Sequence, residues 1–232
     1  MRRLLRPVSD NVNQEKHFAT RVDRKRSMAY SNFTLAKVKE DFGLTLDESQ
    51  NLFTDIEAVK PSEILTITLQ EYIPLATAIG TKKARSEFLI APILSEVRRQ
   101  LNYQISLFSG TDFNVDIEKG LLGYCDFLLS ASKEQFFISA PVITIVEAKN
   151  ENIIGGLGQC VAEMVAAQIF NERKEIDIPV IYGAVTSGTN WRFLTLSENN
   201  VCIDSVEYYI NQVDKILAIL LNPIQAYLSS IK

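Results

Sequence analysis

The sequence predicts an α/β fold, a mixed central sheet flanked by helices on both faces, and three observations carry that reading. Two segments, Leu121 to Leu129 and Val142 to Ala148, are apolar almost throughout, as expected of strands covered on both sides. Amphipathic helical patterns lie before and after them, over Lys83 to Asn102 and Gln159 to Asn171. A hairpin signal follows: Pro179 to Val185, the turn Thr186-Ser187-Gly188-Thr189-Asn190, and a returning strand from Trp191 to Leu196. The helix from Gln159 to Asn171 then reads as a right-handed crossover between parallel neighbours.

The remaining elements are placed in order. Residues 1–27 hold eight Lys/Arg against three Asp/Glu, so a +5 leader precedes a body of −9 in a chain of net charge −4. Such a leader is either an arm for nucleic-acid phosphates, an unstructured tail, or sequence upstream of a start at Met28. Residues 28–80 read as an N-terminal helical segment packing on the core, and residues 81–232 as the α/β core. Residues 31–58 look helical with a break: Ser31 or Thr34 can cap the start and Gly43 suits a helix end. Thr45-Leu46-Asp47-Glu48 opens a second short segment. Pro61-Ser62-Glu63 signals another helix start, although the β-branched residues after it leave helix and strand both open. Between Lys83 and Asn102, Ala84, Phe88, Ala91, Leu94, Val97 and Leu101 form one face, with Pro92 marking a kink or a delayed start. Gln104 to Phe108 reads as a short strand ended by the turn residues Ser109-Gly110-Thr111-Asp112. Ser130 to Ser139 reads as a loop plus an edge element, and Ser205 to Leu221 as a closing helix.

Composition narrows the chemistry. At 232 residues, one compact domain is expected, and no apolar run approaches the roughly 20 residues of a membrane helix. The basic start Met-Arg-Arg-Leu-Leu-Arg-Pro lacks the apolar stretch and cleavage site of a secretory signal. Cys125, Cys160 and Cys202 are odd in number and widely spaced, so reduced thiols in a cytoplasmic protein are expected. His17 is the only histidine, which leaves carboxylates and lysines to carry any chemistry.

Those groups gather near two strands. Glu147 and Lys149 are two apart, so they share a face at the end of an apolar strand. Asp126 interrupts the neighbouring apolar run in the same way. Unpaired charges there would each cost several kcal/mol, roughly, so one shared polar site is the economical explanation. Two carboxylates with water and a phosphate suit Mg²⁺, and a neighbouring lysine can orient or deprotonate the attacking water. The bland alternative is a structural ion pair.

Asp126, the Glu147-Ala148-Lys149 triplet, Gln159 at the next helix start and Glu87 on a preceding helix together resemble the PD-(D/E)XK nuclease superfamily. The likeness covers roughly Lys83 to Leu196. It implies a restriction endonuclease-like fold, with Asp126 and Glu147 as metal ligands and Lys149 activating water. It also implies Gln159 as a positioner of water or phosphate, and Glu87 as a further supporter of the metal. The run from Tyr182 to Phe193, with Gly183, Thr186, Gly188 and Trp191, is similar to a recurring segment of family members related to the N-terminal nuclease domain of type I restriction subunits and of related cyanobacterial proteins. Cys125 stands where the family's proline would precede the aspartate.

The expected function is therefore phosphodiester hydrolysis of nucleic acid, DNA above all, with Mg²⁺ or Mn²⁺ as cofactor. The alternative is an inactive nuclease-fold protein acting as a binding or assembly subunit. A homodimer or larger nuclease complex would supply two sites for two strands; no membrane partner is expected. Glu87 is equally readable as an exposed helix residue, Gln159 as a helix start beside a glycine turn, and Trp191 as packing. Lys82-Lys83 and Arg98-Arg99 can touch phosphate or simply form solvated helix faces. Gly155, Gly156 and Gly158 lack the spacing and lysine of a nucleotide loop.

Overall fold

The structure, a computed structural model, describes residues 29–231. The basic stretch of residues 1–27, including His17, lies outside the described residues. Eight strands form one mixed sheet: β1 (Thr45–Asp47), β2 (Ser106–Asp112), β3 (Tyr124–Ser130), β4 (Val142–Ala148), β5 (Ile181–Thr186), β6 (Asn190–Ser197), β7 (Asn200–Ile203) and β8 (Tyr208–Tyr209). Their order is β1-β7-β6-β5-β4-β3-β2, with β8 pairing β6 off that path. The helices are α1 (Leu35–Phe42), α2 (Glu63–Ile79), α3 (Lys82–Arg85), α4 (Ala91–Gln100), α5 (Leu157–Glu172) and α6 (Val213–Ser230).

Burial explains the layering. Every residue of β4 is buried, so the strand has no solvent face and shows no polar alternation. On one side, Ile145 and Val185 pack with Val38 of α1 and Val161 and Met164 of α5. On the other, Val146, Ala184 and Phe193 meet Leu65 of α2, Leu94 and Val97 of α4 and Leu217 of α6. Helix α5 links β4 to its parallel neighbour β5, as the crossover reading expects. No helix among the described residues is long and apolar enough to cross a membrane.

Several sequence expectations hold in detail. Thr34 caps α1 by accepting a hydrogen bond from the Lys37 N–H, and Gly43 ends it at φ +63°. Ser62 caps α2, and the segment left open between helix and strand is a helix. Strand β4 has the expected limits.

Other elements differ. Thr45–Asp47 is a parallel strand against β7, not a second helical segment: pairing with a strand distant in sequence overrides its local pattern. Strand β2 runs through its supposed turn to Asp112, because Gly110 (φ +59°) bends the strand without ending its pairing. Residues 131–141 contain no strand, so the edge element is absent. The closing helix starts at Val213 rather than Ser205 and continues past Pro223 to Ser230. Between α3 and α4 a π-helical turn, Ser86–Ile90, takes up Pro92, which lacks the N–H for a regular helical bond to Phe88.

One close approach fixes α1 on α5. A Cβ built on Gly158 would lie 2.3 Å from the Thr34 carbonyl carbon and 2.5 Å from the Leu35 nitrogen, both main-chain atoms. Main chain cannot swing away as a side-chain end can. Gly158→Ala should therefore lower unfolding free energy by about 3 kcal/mol, at the upper end of overpacking costs. A urea midpoint equal to wild type would contradict this.

Candidate active site

The site lies where the C-terminal end of β4 meets the N-terminal part of β3, its antiparallel neighbour. Ile145, Glu147 and Lys149 alternate onto the α5 side of the sheet, where the latter two meet Gln159, and Asp126 is the third residue of the adjacent strand β3. Gly110 lies opposite Asp126 between the paired positions of β2 and β3.

Asp126 Oδ2 accepts the Ala148 main-chain N–H at 2.9 Å, which locks the two strand ends together. Glu147 is fully buried. Its Oε1 lies 2.8 Å from Lys149 Nζ, and its Oε2 accepts from Gln159 Nε2 at 2.9 Å. Lys149 Nζ also donates to Gln159 Oε1 at 3.1 Å. Gln159 thus spans the lysine and the glutamate, with its amide orientation fixed by having one donor and one acceptor to satisfy. The Lys149 ammonium thus compensates the charge on Glu147 Oε1.

The structure adds two residues that sequence reasoning did not place here. Lys82, at the start of α3, lies 2.7 Å from Asp126 Oδ2 and 4.0 Å from Glu147 Oε1. Glu163, one turn along α5 from Gln159, accepts from Gln159 Nε2 at 3.0 Å through Oε1; its buried Oε2 has no partner. Glu163 carries the same signal that marks Asp126 and Glu147, an acid set among buried apolar residues. Lys82 has no such signal, since an adjacent Lys83 gives an ordinary solvated pair.

Glu87 is not brought into this cluster. It sits in the π turn with an exposed side chain, 3.2 Å from Lys83. Among the described residues no hydrogen bond or ion pair joins it to Asp126 or Glu147. The helix delivers Lys82 to the carboxylates instead.

No protein-family model and no curated protein matches this chain. Its chemistry has to be read from the cluster itself. Three carboxyl groups face two ammonium groups there. Burial, and then the charge of Asp126, raises the Glu147 carboxyl from 4.5 to about 7, against the pull of Lys149 and Lys82. Burial, and then the charge of Glu147, pushes Glu163 well above the usual carboxylate range, which favours its neutral form. Cys125 and Cys160 are likewise pushed up by burial, which keeps both thiols unreactive.

Neighbouring elements hold the cluster in shape. A Cβ on Gly156 would come within 2.7 Å of Lys149 Cε and 2.6 Å of Val185 Cγ1, so the glycine lets the lysine stem cross the start of α5. Arg85 donates to the Ser187 carbonyl and to Thr189 Oγ1, each at 3.2 Å, tying the β5–β6 turn to α3. Trp191 is fully buried and donates through Nε1 to the Gly188 carbonyl, consistent with a packing role.

A divalent cation can be tested against this donor set. Among the described residues no three Asp, Glu, His or Cys side chains form a ready cage. Mg²⁺, however, keeps several waters and is commonly held by only one or two carboxylates. Asp126 and Glu147 supply two, and their Oδ2 and Oε1 atoms already face one shared cation, the Lys82 ammonium. The residues fit.

Proposed function

We propose that the protein hydrolyses phosphodiester bonds in nucleic acid, DNA above all, as a PD-(D/E)XK-type nuclease with a restriction endonuclease-like core. The observation that carries this reading is the convergence of Asp126, Glu147, Lys149 and Gln159 in one connected cluster at the ends of two adjacent strands. Asp126 and Glu147 are the residues that would hold Mg²⁺ or Mn²⁺. The bound ion would polarise the phosphoryl oxygen and acidify a water.

The chain's own groups have separate tasks. Lys149, fixed by Glu147 and Gln159, orients the attacking water and offsets charge gathering on the phosphate. Gln159 holds the lysine and the glutamate at a set spacing. Glu163 supports Gln159 by accepting from its amide, and burial that favours the neutral acid limits the negative charge it adds beside the carboxylates. Glu87, carried into the reading by resemblance alone, has no part in it.

Lys82 favours a second reading. Its ammonium already stands between the two carboxylates, an arrangement that suits a protein that has given up catalysis and kept the fold for assembly. A divalent-metal titration followed by cleavage of plasmid and single-stranded DNA separates the two. Wild type should cleave with Mg²⁺ or Mn²⁺ and stop with chelator. Lys149→Ala should lose at least about a hundredfold in rate, the contribution typical of a positioned proton-transfer group. Absence of both metal binding and cleavage would leave the assembly reading standing.

A further inference from the structure

A second surface lies at the far end of β3 and β4, where residues 131–141 connect them. Phe136 is wholly exposed there, Phe137 is 60% exposed, and Tyr103 beyond the end of α4 is 55% exposed. Their exposure is not the fraying of a loose loop. The Gln135 amide donates to the Leu107 carbonyl at 2.7 Å and accepts the Leu107 N–H at 3.3 Å, clamping the loop to edge strand β2. Asn102 (φ +51°) and Tyr103 (φ +58°) both hold left-handed backbone, a strained way to present an aromatic ring to solvent.

The charge is equally local. The Arg98 guanidinium sits 5.0 Å from the Tyr103 ring centroid and donates through Nε to the Ile105 carbonyl. Its terminal amino groups have no carboxylate partner among the described residues. Arg99, by contrast, is paired with buried Glu96. A cleft of about 280 Å³ lined by Ser95, Arg98, Arg99, Tyr103, Leu107 and Gln135 adjoins a groove lined by Lys133, Glu134, Gln135, Phe136 and Phe137, in which Lys133 and Glu134 offset each other and Arg98 is left as the free charge. A basic, aromatic patch of this kind stands out on a body of net charge −9.

We propose that this patch holds single-stranded nucleic acid, with bases stacked on Phe136 and Phe137 and a phosphate against Arg98. The choice of partner rests on the phosphodiester reading above. Exposed rings beside cationic groups are how unpaired strands are held, because every base has a face to stack. The Arg98 guanidinium, set beside the rings without a carboxylate partner, suits a sugar-phosphate chain better than an acyl chain. Geometry links the two surfaces, since the run from Lys82 to Arg98 spans roughly 24 Å at 1.5 Å per helical residue. A strand anchored at Arg98 would lead along that helix toward Asp126.

The test uses full-length protein carrying Lys149→Ala, without metal, and fluorescence anisotropy with labelled oligothymidine and oligouridine. Adding Phe136→Ala with Phe137→Ala should weaken binding at least about tenfold, and Arg98→Gln should reduce the salt dependence by about one charge. Melting temperatures should not change. Either DNA or RNA binding through the patch supports the proposal. Equal binding by all variants, or no oligonucleotide binding at low salt, overturns it. So does patch-dependent binding to phosphatidylserine vesicles without oligonucleotide binding, which would mark a lipid surface. If the patch binds strands but protein bearing Lys149 cleaves nothing, the nuclease reading alone fails. If wild type cleaves and the patch variants bind and cleave equally well, the patch alone fails.

Discussion

Glu147→Gln is expected to make the metal-free protein more stable at pH 8, by up to about 3 kcal/mol, while abolishing metal-dependent cleavage. The sign follows from burial. The Glu147 carboxyl is raised from 4.5 to about 7, so the folded chain holds that proton over a range where the unfolded chain has lost it. Its contribution is therefore fully present below pH 4.5, declines as pH rises, and is lost above about pH 7. Glutamine has no proton to lose and escapes the decline. Urea denaturation of both proteins at pH 4.5 and pH 8 reads this directly: the two should match in acid and diverge in base. A structural ion pair predicts the reverse, since removing one partner of a buried pair costs about 3–5 kcal/mol. Lower stability of Glu147→Gln at pH 8 would thus sink the metal-site reading and establish Glu147–Lys149 as scaffolding.

The legible parts of the molecule were those whose reason is local. Doubly covered β4 announces itself by seven residues without a polar alternation, and the charges at its end by their incongruity. Caps at Thr34 and Ser62 are likewise short-range chemistry. What escaped the sequence depends on partners far along the chain. Thr45–Asp47 is a strand because β7 lies beside it, and Gly110 kinks β2 where an isolated reading puts a stop. The same division runs through the candidate site. Asp126, Glu147, Lys149 and Gln159 were visible as polar groups on apolar elements. Glu163 offered that signal too, but lay in a segment read as an amphipathic helix, where an acid is expected on the solvent face. Lys82 and Glu87 exchanged places for a reason invisible in one dimension: the π turn and Lys83 keep Glu87 at the surface, while Lys82 reaches the strand ends.

Lys82→Met is expected to tighten Mg²⁺ or Mn²⁺ binding by about tenfold or more, equivalent to about 1.4 kcal/mol. The ammonium stands 2.7 Å from Asp126 and 4.0 Å from Glu147, within the space a cation bridging the two carboxylates would need. A metal entering there must displace it and then bear its repulsion. Methionine keeps the length of the side chain and removes the charge. The gain is modest because Lys82 is 44% exposed and its charge is partly screened by water. Without metal, the same change leaves Asp126 and Glu147 facing only Lys149. The carboxylates then repel with less compensation, so Glu147 should titrate higher still and the metal-free protein should melt earlier at pH 8 than wild type. Isothermal titration with Mn²⁺ and melting curves with and without metal measure both halves. Tighter metal binding with a lower metal-free melting temperature identifies Lys82 as a resident counter-ion that yields to the metal. Unchanged affinity would mean that no cation binds between Asp126 and Glu147, and the hydrolytic reading would lose its centre.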